Sequence, residues 1–248
     1  MKKFLGVSLK TPNDLIYGET NRYPIFLCSK IKCVRYWLKL TQMEQNRLPF
    51  KSYNMLLELD ARGKSNWVTR VRNILCENGF GCVWAQQGVG DINLFLQTFR
   101  IRLIDCHWQN WNSHVHDSNR FDWYRDLNSL HCIPEYLSMN LDRHLKQILT
   151  KFRFGVSDIL VHFHRYTHSS VYSLTCPLCQ EEEENEVHFV LCCPVLTNLR
   201  TQFIPAKYFR QPSMFRLTLL MTAKSAVIVR QLAIFLYKAF KIRELVTT

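Results

Sequence analysis

The stretch CPLCQEEEENEVHFVLCCP, residues 176–194, concentrates metal-binding side chains. It holds four of the ten cysteines, one histidine and five glutamates, and it contains no lysine or arginine. Cys176 and Cys179 form a C-x2-C pair, and two thiolates at this spacing can bind one tetrahedral ion from a tight turn. The sequence therefore predicts a metal site, and the neighbouring residues have to complete its ligand set.

His188 is placed to supply a third ligand, and two cysteines are candidates for the fourth. The pattern is C-x2-C-x8-H-x3-C with Cys192 and C-x2-C-x8-H-x4-C with Cys193. On a helix, Cys192 would share the face of His188. Cys193 would serve if the helix ended there, and Pro194 favours that ending because the residue before a proline is pushed out of the helical region. Cysteine and histidine ligands at this spacing predict Zn²⁺.

A zinc ion with four protein ligands has no open position for water, so we expect a structural rather than a catalytic metal. The zinc deaminase signature is not matched, because it needs a glutamate two residues after the histidine, and here Glu186 precedes His188. The chain also has no Asp-Asp pair, which argues against a two-metal polymerase centre. A Cys/His nucleophile remains as the enzymatic alternative.

The charge of the chain is strongly basic and unevenly distributed. The formal net charge is +12, and the five glutamates of residues 176–193 leave 32 basic residues against 15 acidic ones elsewhere, a balance of +17. Such an excess predicts a polyanionic partner, with nucleic acid ahead of an acidic membrane surface. A solvated basic surface without a partner is the alternative. The loop glutamates would repel phosphate and suit the N-terminus of a helix carrying His188, so we expect binding elsewhere.

Three further features bear on the compartment. The most apolar stretch, SAVIVRQLAIFLYKAFKI (225–242), is interrupted by Arg230 and Lys238, so we predict a buried helix rather than a membrane span. The six cysteines outside residues 176–193 are scattered singly among apolar residues, as small core residues would be. The apolar part of MKKFLGVSLK ends too early, at Lys10, for a signal peptide. We therefore expect an intracellular protein, in the cytoplasm or the nucleus.

The periodicity of apolar residues predicts a mainly α fold, with bundle-like helical lobes and a small CCHC zinc knuckle. Glycine and proline number only eight each, which favours helices over a sandwich or barrel. We predict a basic helical lobe over residues 1–115 and a second helical lobe over 116–248 that contains the knuckle at 176–193. The predicted helices cover 24–44, 49–62, 66–79, 91–112, 119–127, 135–152, 195–203, 213–222 and 225–243, with a glycine-rich connection at 79–90.

The helix predicted at residues 24–44 carries a basic stripe. Five basic residues lie between Thr20 and Met43 without an acidic one, and several recur at helical spacing. We predict a nucleic-acid-binding face that follows phosphates, with Tyr36 and Trp37 available for base stacking. An ordinary amphipathic helix with lysines on its solvent side is the alternative. The five basic residues are Arg22, Lys30, Lys32, Arg35 and Lys39.

The order of these features resembles the segment that follows the reverse transcriptase domain in the endonuclease–reverse transcriptase polyproteins of LINE-type (non-LTR) retrotransposons. The resemblance covers nearly the whole chain, and the C-x2-C pair with its trailing His-x4-Cys-Pro is its most specific part. It is carried by YGETNRYPIFLCSKIKCVRYWLKL (17–40), NWVTRVRNILCENGFGCVWAQQGV (66–89), RIRLIDCHWQNWNS (100–113), LTKFRFGVSDILVHFHRY (149–166) and residues 176–200.

The resemblance implies a helical region with a zinc knuckle that helps to hold template RNA and target DNA during target-primed reverse transcription. It also implies Cys193, the cysteine before proline, as the fourth ligand beside Cys176, Cys179 and His188. The Phe/Tyr-x-Asp-Asp polymerase motif of the family is absent from this sequence. We therefore expect a non-catalytic nucleic-acid-binding module. A degenerate retroelement fragment, or an interaction scaffold that binds no nucleic acid, is the alternative.

Overall fold

The computed structural model describes residues 1–128, 132–167 and 173–247. The only β pairing in these ranges is an isolated antiparallel bridge between Thr175 and Glu183, so the predicted mainly α fold is confirmed. The α-helices of the described residues are α1 (Lys2–Leu5), α2 (Asn13–Thr20), α3 (Ile25–Thr41), α4 (Leu48–Ala61), α5 (Trp67–Glu77), α6 (Gly81–Ala85), α7 (Ile92–His116), α8 (Asp122–Leu127), α9 (Glu135–Ser138), α10 (Arg143–Arg153), α11 (Leu160–Thr167), α12 (Thr197–Phe203), α13 (Ala206–Phe209), α14 (Met214–Met221) and α15 (Ala226–Thr247). Asn119–Phe121 and Pro194–Leu196 form 3-10 turns, and His188–Cys192 is π-helical.

The chain divides into two compact units. Unit 1 comprises Met1–Arg22 and Ser113–Thr248, and unit 2 comprises Tyr23–Asn112. This division corrects the predicted lobes of 1–115 and 116–248, because the first 22 residues belong with the C-terminal part of the chain. The reason lies in contacts between residues that are more than one hundred positions apart in sequence.

The N-terminal segment packs against α10. Arg143 and Gln147 donate side-chain hydrogen bonds to the carbonyls of Lys3 and Phe4, at 3.1 and 3.2 Å. Gly6, which follows α1, has a φ of 70°, and a Cβ atom there would lie 2.6 Å from the side chain of Gln147. Both the backbone conformation and the close approach therefore require glycine at this position.

A buried ion pair between Glu19 of α2 and Arg153 of α10 secures the same segment. Arg153 Nε donates to Glu19 Oε1 at 2.6 Å, and neither side chain is more than 2% exposed. The hydroxyls of Tyr136 and Tyr124 donate to the two carboxylate oxygens of Glu19, at 2.7 and 3.1 Å. Arg153 also donates to the carbonyl of Met221 at 2.9 Å. The pair therefore links five helices of unit 1, α2, α8, α9, α10 and α14, through satisfied polar groups.

The apolar core of unit 1 surrounds the segment that holds the cysteines. Phe189 of the π-helix packs against Phe240 of α15 and Phe152 of α10, with ring centroids 5.0 and 6.5 Å away in tilted arrangements. Cys176 and Cys193 belong to the same buried cluster. The cysteine segment is therefore part of the core and not an appendage on the surface.

Unit 2 has its own core, built by α3, α4, α5 and α7. Asn66 caps α5 as predicted, and it forms a capping box with Thr69. Asp91 accepts hydrogen bonds from the N–H groups of Asn93 and Leu94, which places the predicted start of α7 correctly. Trp37 is fully buried and donates to the hydroxyl of Tyr53 at 2.9 Å, so its proposed role in base stacking is wrong.

Several other expectations differ from the structure. The connection at 79–90 contains α6, and the helix predicted at 135–152 is split into α9 and α10 because Met139 is extended, with φ −65° and ψ 151°. The six single cysteines were expected in the core, but none is buried, and Cys28, Cys76, Cys82 and Cys132 are exposed. Among the described residues no single helix is long and apolar enough to cross a membrane, although α14 and α15, bent by 113°, pass that test together.

We predict that Glu19→Gln destabilises the protein strongly. The substitution leaves the Arg153 guanidinium buried without its counter-charge, which costs on the order of 3–5 kcal/mol in unfolding free energy. Urea unfolding followed by circular dichroism measures the difference. The matched control is Glu244→Gln, which removes the carboxylate of an exposed pair with Lys241 and should change the unfolding midpoint little. Equal midpoints for the two variants would contradict the role given to Glu19.

Candidate metal centre

The first two ligands lie in a short turn closed by backbone hydrogen bonds. The N–H of Gln180 donates to the carbonyl of Cys176 at 2.8 Å, and Gln180 adopts a φ of 59° to complete the turn. The N–H of Cys176 in turn donates to the carbonyl of Glu182 at 2.7 Å. These bonds, together with the Thr175–Glu183 bridge, hold Cys176 and Cys179 on one side of a small ribbon.

The other two ligands lie at the ends of the π-helical turn. The N–H of Cys193 donates to the carbonyl of His188 at 2.7 Å, an i to i+5 bond that is wider than an α-helical turn. Cys193 itself has left the helix, with φ −44° and ψ 119°, as expected for the residue before Pro194. The buried Arg200 fixes this exit by donating to the carbonyls of Val190 and Cys193, at 2.8 and 2.7 Å.

Four ligand atoms converge at this point. The sulfurs of Cys176, Cys179 and Cys193 and a ring nitrogen of His188 all lie within 4.8 Å of one another, and the group could hold a metal ion. The Sγ of Cys179 is 3.4 Å from Nε2 of His188. In a tetrahedral zinc site with ordinary bond lengths, sulfur and nitrogen ligands are about 3.6 Å apart and two sulfurs about 3.8 Å apart. The cluster is therefore close to the size that a tetrahedral ion requires.

Glu182 fixes the ring of His188. Its Oε2 lies 2.9 Å from Nδ1, while Nε2 faces the cysteines. In metal sites a carboxylate commonly accepts the second N–H of a histidine ligand, which sets the tautomer and leaves the other nitrogen free to coordinate. Glu182 is one of four consecutive glutamates, and its neighbour Glu183 is equally exposed. The sequence alone therefore could not show which glutamate contacts His188.

The thiols of the cluster influence one another. Burial and the neighbouring Cys176 raise the pKa of Cys193 to about 12, and burial also raises the pKa of Cys176. Burial acts to raise the pKa of Cys179 as well, but hydrogen bonds from the backbone N–H groups of Glu181 and Glu182 and from the neighbouring thiols outweigh it, so this pKa is lowered. A cation bound among the sulfurs would favour the thiolate form of all three.

Glu184 anchors the segment to α15. Arg243 donates from Nε and Nη2 to its two carboxylate oxygens at 2.6 and 2.9 Å, and the N–H of Leu160 donates to Oε2 at 2.8 Å. Glu184 is fully buried and Arg243 is 8% exposed. Two parallel hydrogen bonds fix the orientation of the Glu184 carboxylate relative to Arg243, and so fix the segment against α15.

Glu186 anchors the segment to α11. It pairs with Arg165 and lies 3.2 Å from Nε2 of His162, whose Nδ1 is 2.7 Å from the hydroxyl of Ser157. Burial opposes the ionisation of Glu186, but the hydrogen bond from His162 and the charge of Arg165 outweigh it and lower its pKa to about 2. Burial lowers the pKa of His162, so its neutral ring can donate to Glu186 and accept from Ser157.

The structure brings together one of the two ligand sets that the spacing in the sequence allowed. The four residues that come together are Cys176, Cys179, His188 and Cys193, the set that the resemblance implied. Cys192 contributes no atom to this group, although it is only one residue away. Glu184 differs from the expectation for the four loop glutamates, because it is buried in an ion pair with Arg243, whereas Glu181, Glu182 and Glu183 are exposed.

The predicted nucleic-acid-binding residues fall in both units. Lys30, Lys32, Arg35 and Lys39 lie on α3 in unit 2, whereas Arg22 follows α2 in unit 1. Lys32, Arg35 and Lys39 are exposed, and Lys30 lies 3.9 Å from the carboxylate of Glu77. The structure therefore presents three exposed cations along one helix.

Comparison with protein family profiles, with curated proteins and with solved structures found no match for this chain.

We predict that Cys193→Ser and Cys192→Ser differ in metal content. Loss of Cys193 removes one of four ligands, so the purified variant should retain much less metal than the unsubstituted protein. Cys192→Ser is the matched control, because it changes the same side chain one residue away and should bind one ion per chain. Elemental analysis of protein purified without chelators measures both. Metal lost from Cys192→Ser and retained by Cys193→Ser would contradict the ligand set.

We also predict that Glu182→Gln lowers metal affinity without abolishing binding. The amide cannot accept the Nδ1 proton as strongly as a carboxylate, and loss of such a partner typically costs about 10- to 100-fold in affinity. Competition with a chromophoric chelator measures the dissociation constant. The control is Glu183→Gln, which removes a charge from the adjacent exposed residue. If Glu182→Gln and Glu183→Gln bound the metal with equal affinity, the proposed hydrogen bond from His188 to Glu182 would not contribute to metal binding.

Proposed function

We propose that this chain is a non-catalytic nucleic-acid-binding module stabilised by a structural Zn²⁺, of the kind that the C-terminal region of a LINE-type reverse transcriptase provides. In such a role it would hold RNA or DNA while a polymerase domain on the same polyprotein performs target-primed reverse transcription. The chemistry would belong to that other domain. The contribution of this chain would be binding and positioning.

The closed ligand set supports a structural metal. Three sulfurs and one nitrogen would fill a tetrahedral shell around an ion, and Cys176 and Cys193 are fully buried in the core of unit 1. Thiolates and imidazole are ligands that Zn²⁺ accepts in structural sites. When bound, the ion would supply folding free energy by joining the Cys176–Gln180 turn to the π-helix. No step of a reaction is assigned to it.

The distribution of charge is the observation that carries the nucleic-acid proposal. In the described part of the chain, the carboxylate of Glu184 is neutralised by the buried Arg243. The carboxylate of Glu186 is neutralised by Arg165, which is partly exposed. Lys32, Arg35 and Lys39 of α3 form no ion pair with any described residue and face solvent. Exposed cations at helical spacing are suited to a phosphate backbone, whose binding releases condensed counterions.

We predict that the full chain binds a short single-stranded RNA with an affinity that falls steeply with salt. Three cations that neutralise three phosphates should give a slope of about −2 in a plot of log K against log salt concentration between about 50 and 200 mM. Fluorescence anisotropy of labelled RNA measures the constant. Substitution of Lys32, Arg35 and Lys39 by Gln should bring the slope much closer to zero.

The matched control removes the same charge from another part of unit 2. Arg47, Lys51 and Lys64 are exposed, and their substitution by Gln should leave the slope nearly unchanged. If both triple variants lost affinity equally, the binding would depend on net charge and not on α3. Absence of RNA and DNA binding at low salt would instead favour the alternative, an interaction scaffold or a degenerate retroelement fragment.

A further inference from the structure

A cavity of about 600 Å³ lies beside the exposed cations of α3, within unit 2. One wall is formed by α3 and the other by α7. The apolar floor includes Leu27 and Ile31 of α3 and Leu96, Leu103 and Ile104 of α7. Its volume is within the range of sites that bind small organic groups. This cavity was not predictable from local sequence patterns, because α4, α5 and α6 separate the two helices that line it.

The rim of the cavity is cationic. Lys32 and Arg35 of the predicted stripe line it, and Arg100 of α7 approaches from the opposite side. None of the described residues that line the cavity is acidic. Lys30 and Lys39 lie outside this lining, so the cavity selects two of the stripe residues and adds one that the sequence had not singled out for binding.

An exposed aromatic ring stands at one end of the cavity. Tyr23, just before α3, is 37% exposed and lines the cavity. Its ring is held edge-on to Trp108 and His107 of α7, at centroid distances of 6.0 and 6.2 Å. Apolar walls, an exposed tyrosine and a cationic rim match what a single-stranded nucleic acid offers, namely stacked bases joined by phosphates.

We propose that this cavity is the base-binding groove of the module. A base of a single strand stacks on Tyr23 and enters the apolar space between α3 and α7, while the flanking phosphates contact Lys32, Arg35 and Arg100. The proposal rests on the proposed function, and it assigns a place and a binding mode that the exposed stripe alone does not define. A purely electrostatic contact with the nucleic acid would involve the cationic side chains and would not need Tyr23.

The first test compares two tyrosines. Tyr23→Ala should weaken the binding of a short single-stranded RNA by roughly 5- to 150-fold, the usual effect of removing one stacking platform. Tyr237→Ala is the matched control, because Tyr237 is 38% exposed on α15 in unit 1 and does not line the cavity. It should change affinity less than about twofold if stacking is confined to Tyr23. Far-ultraviolet circular dichroism checks that both variants keep their helices.

The second test uses Cys28, an exposed thiol that lines the same cavity. Saturating RNA should slow the alkylation of Cys28 by N-ethylmaleimide. Cys76 and Cys82 serve as internal controls, because they are exposed in the same unit and do not line the cavity. Mass spectrometry of proteolytic peptides reads each cysteine separately in the full chain. Protection of Cys28 alone would support the groove.

The possible results separate the groove from the proposed function. If the chain binds RNA but Tyr23→Ala equals Tyr237→Ala and Cys28 stays unprotected, the groove is wrong and nucleic-acid binding stands. If no RNA or DNA binds at low salt, the proposed function fails and the groove fails with it. If dodecanoate protects Cys28 whereas RNA does not, the cavity takes an anionic amphiphile and the assignment to nucleic acid is overturned.

Discussion

The convergence of four ligand atoms on one point is the constraint on which unit 1 depends. The segment around Cys176 and Cys179 has no helix of its own, and it must meet His188 and Cys193 at the ends of a π-helical turn. A metal ion at that point would join the two parts directly. Without such a link, the ordering of a segment this irregular would have to be offset by its other contacts alone.

Those other contacts are buried ion pairs, and they explain how an acidic segment fits a basic protein. Glu184 pairs with Arg243 of α15, and Glu186 pairs with Arg165 of α11. Each carboxylate is buried, so removal of either partner would leave an uncompensated charge in the core. Glu184 and Glu186 thus attach the cysteine segment to α15 and α11 of the same chain. The exposed Lys32, Arg35 and Lys39 of α3 face solvent, and under the proposed function they would contact nucleic acid.

The sequence predicted the features that depend on local spacing. The ligand pattern falls within a single short stretch, residues 176–193. The caps at Asn66 and Asp91 and the exit of the chain before Pro194 arise from residues within a few positions of one another. Features that depend on distant residues were not predictable in this way. Glu19 finds Arg153 across 134 positions, and no periodicity marks a single glutamate as buried. The same limit applies to Trp37, since an amphipathic pattern does not fix which flank of the apolar face an aromatic ring occupies.

The most direct test of the metal centre is X-ray absorption at the zinc edge of the full chain loaded with one equivalent of Zn²⁺. A closed site made by Cys176, Cys179, His188 and Cys193 predicts a first shell of three sulfurs at about 2.3 Å and one nitrogen at about 2.0–2.1 Å. The outer-shell scattering of an imidazole ring should accompany that nitrogen. A shell with fewer sulfurs and with oxygen from water would contradict the closed structural site.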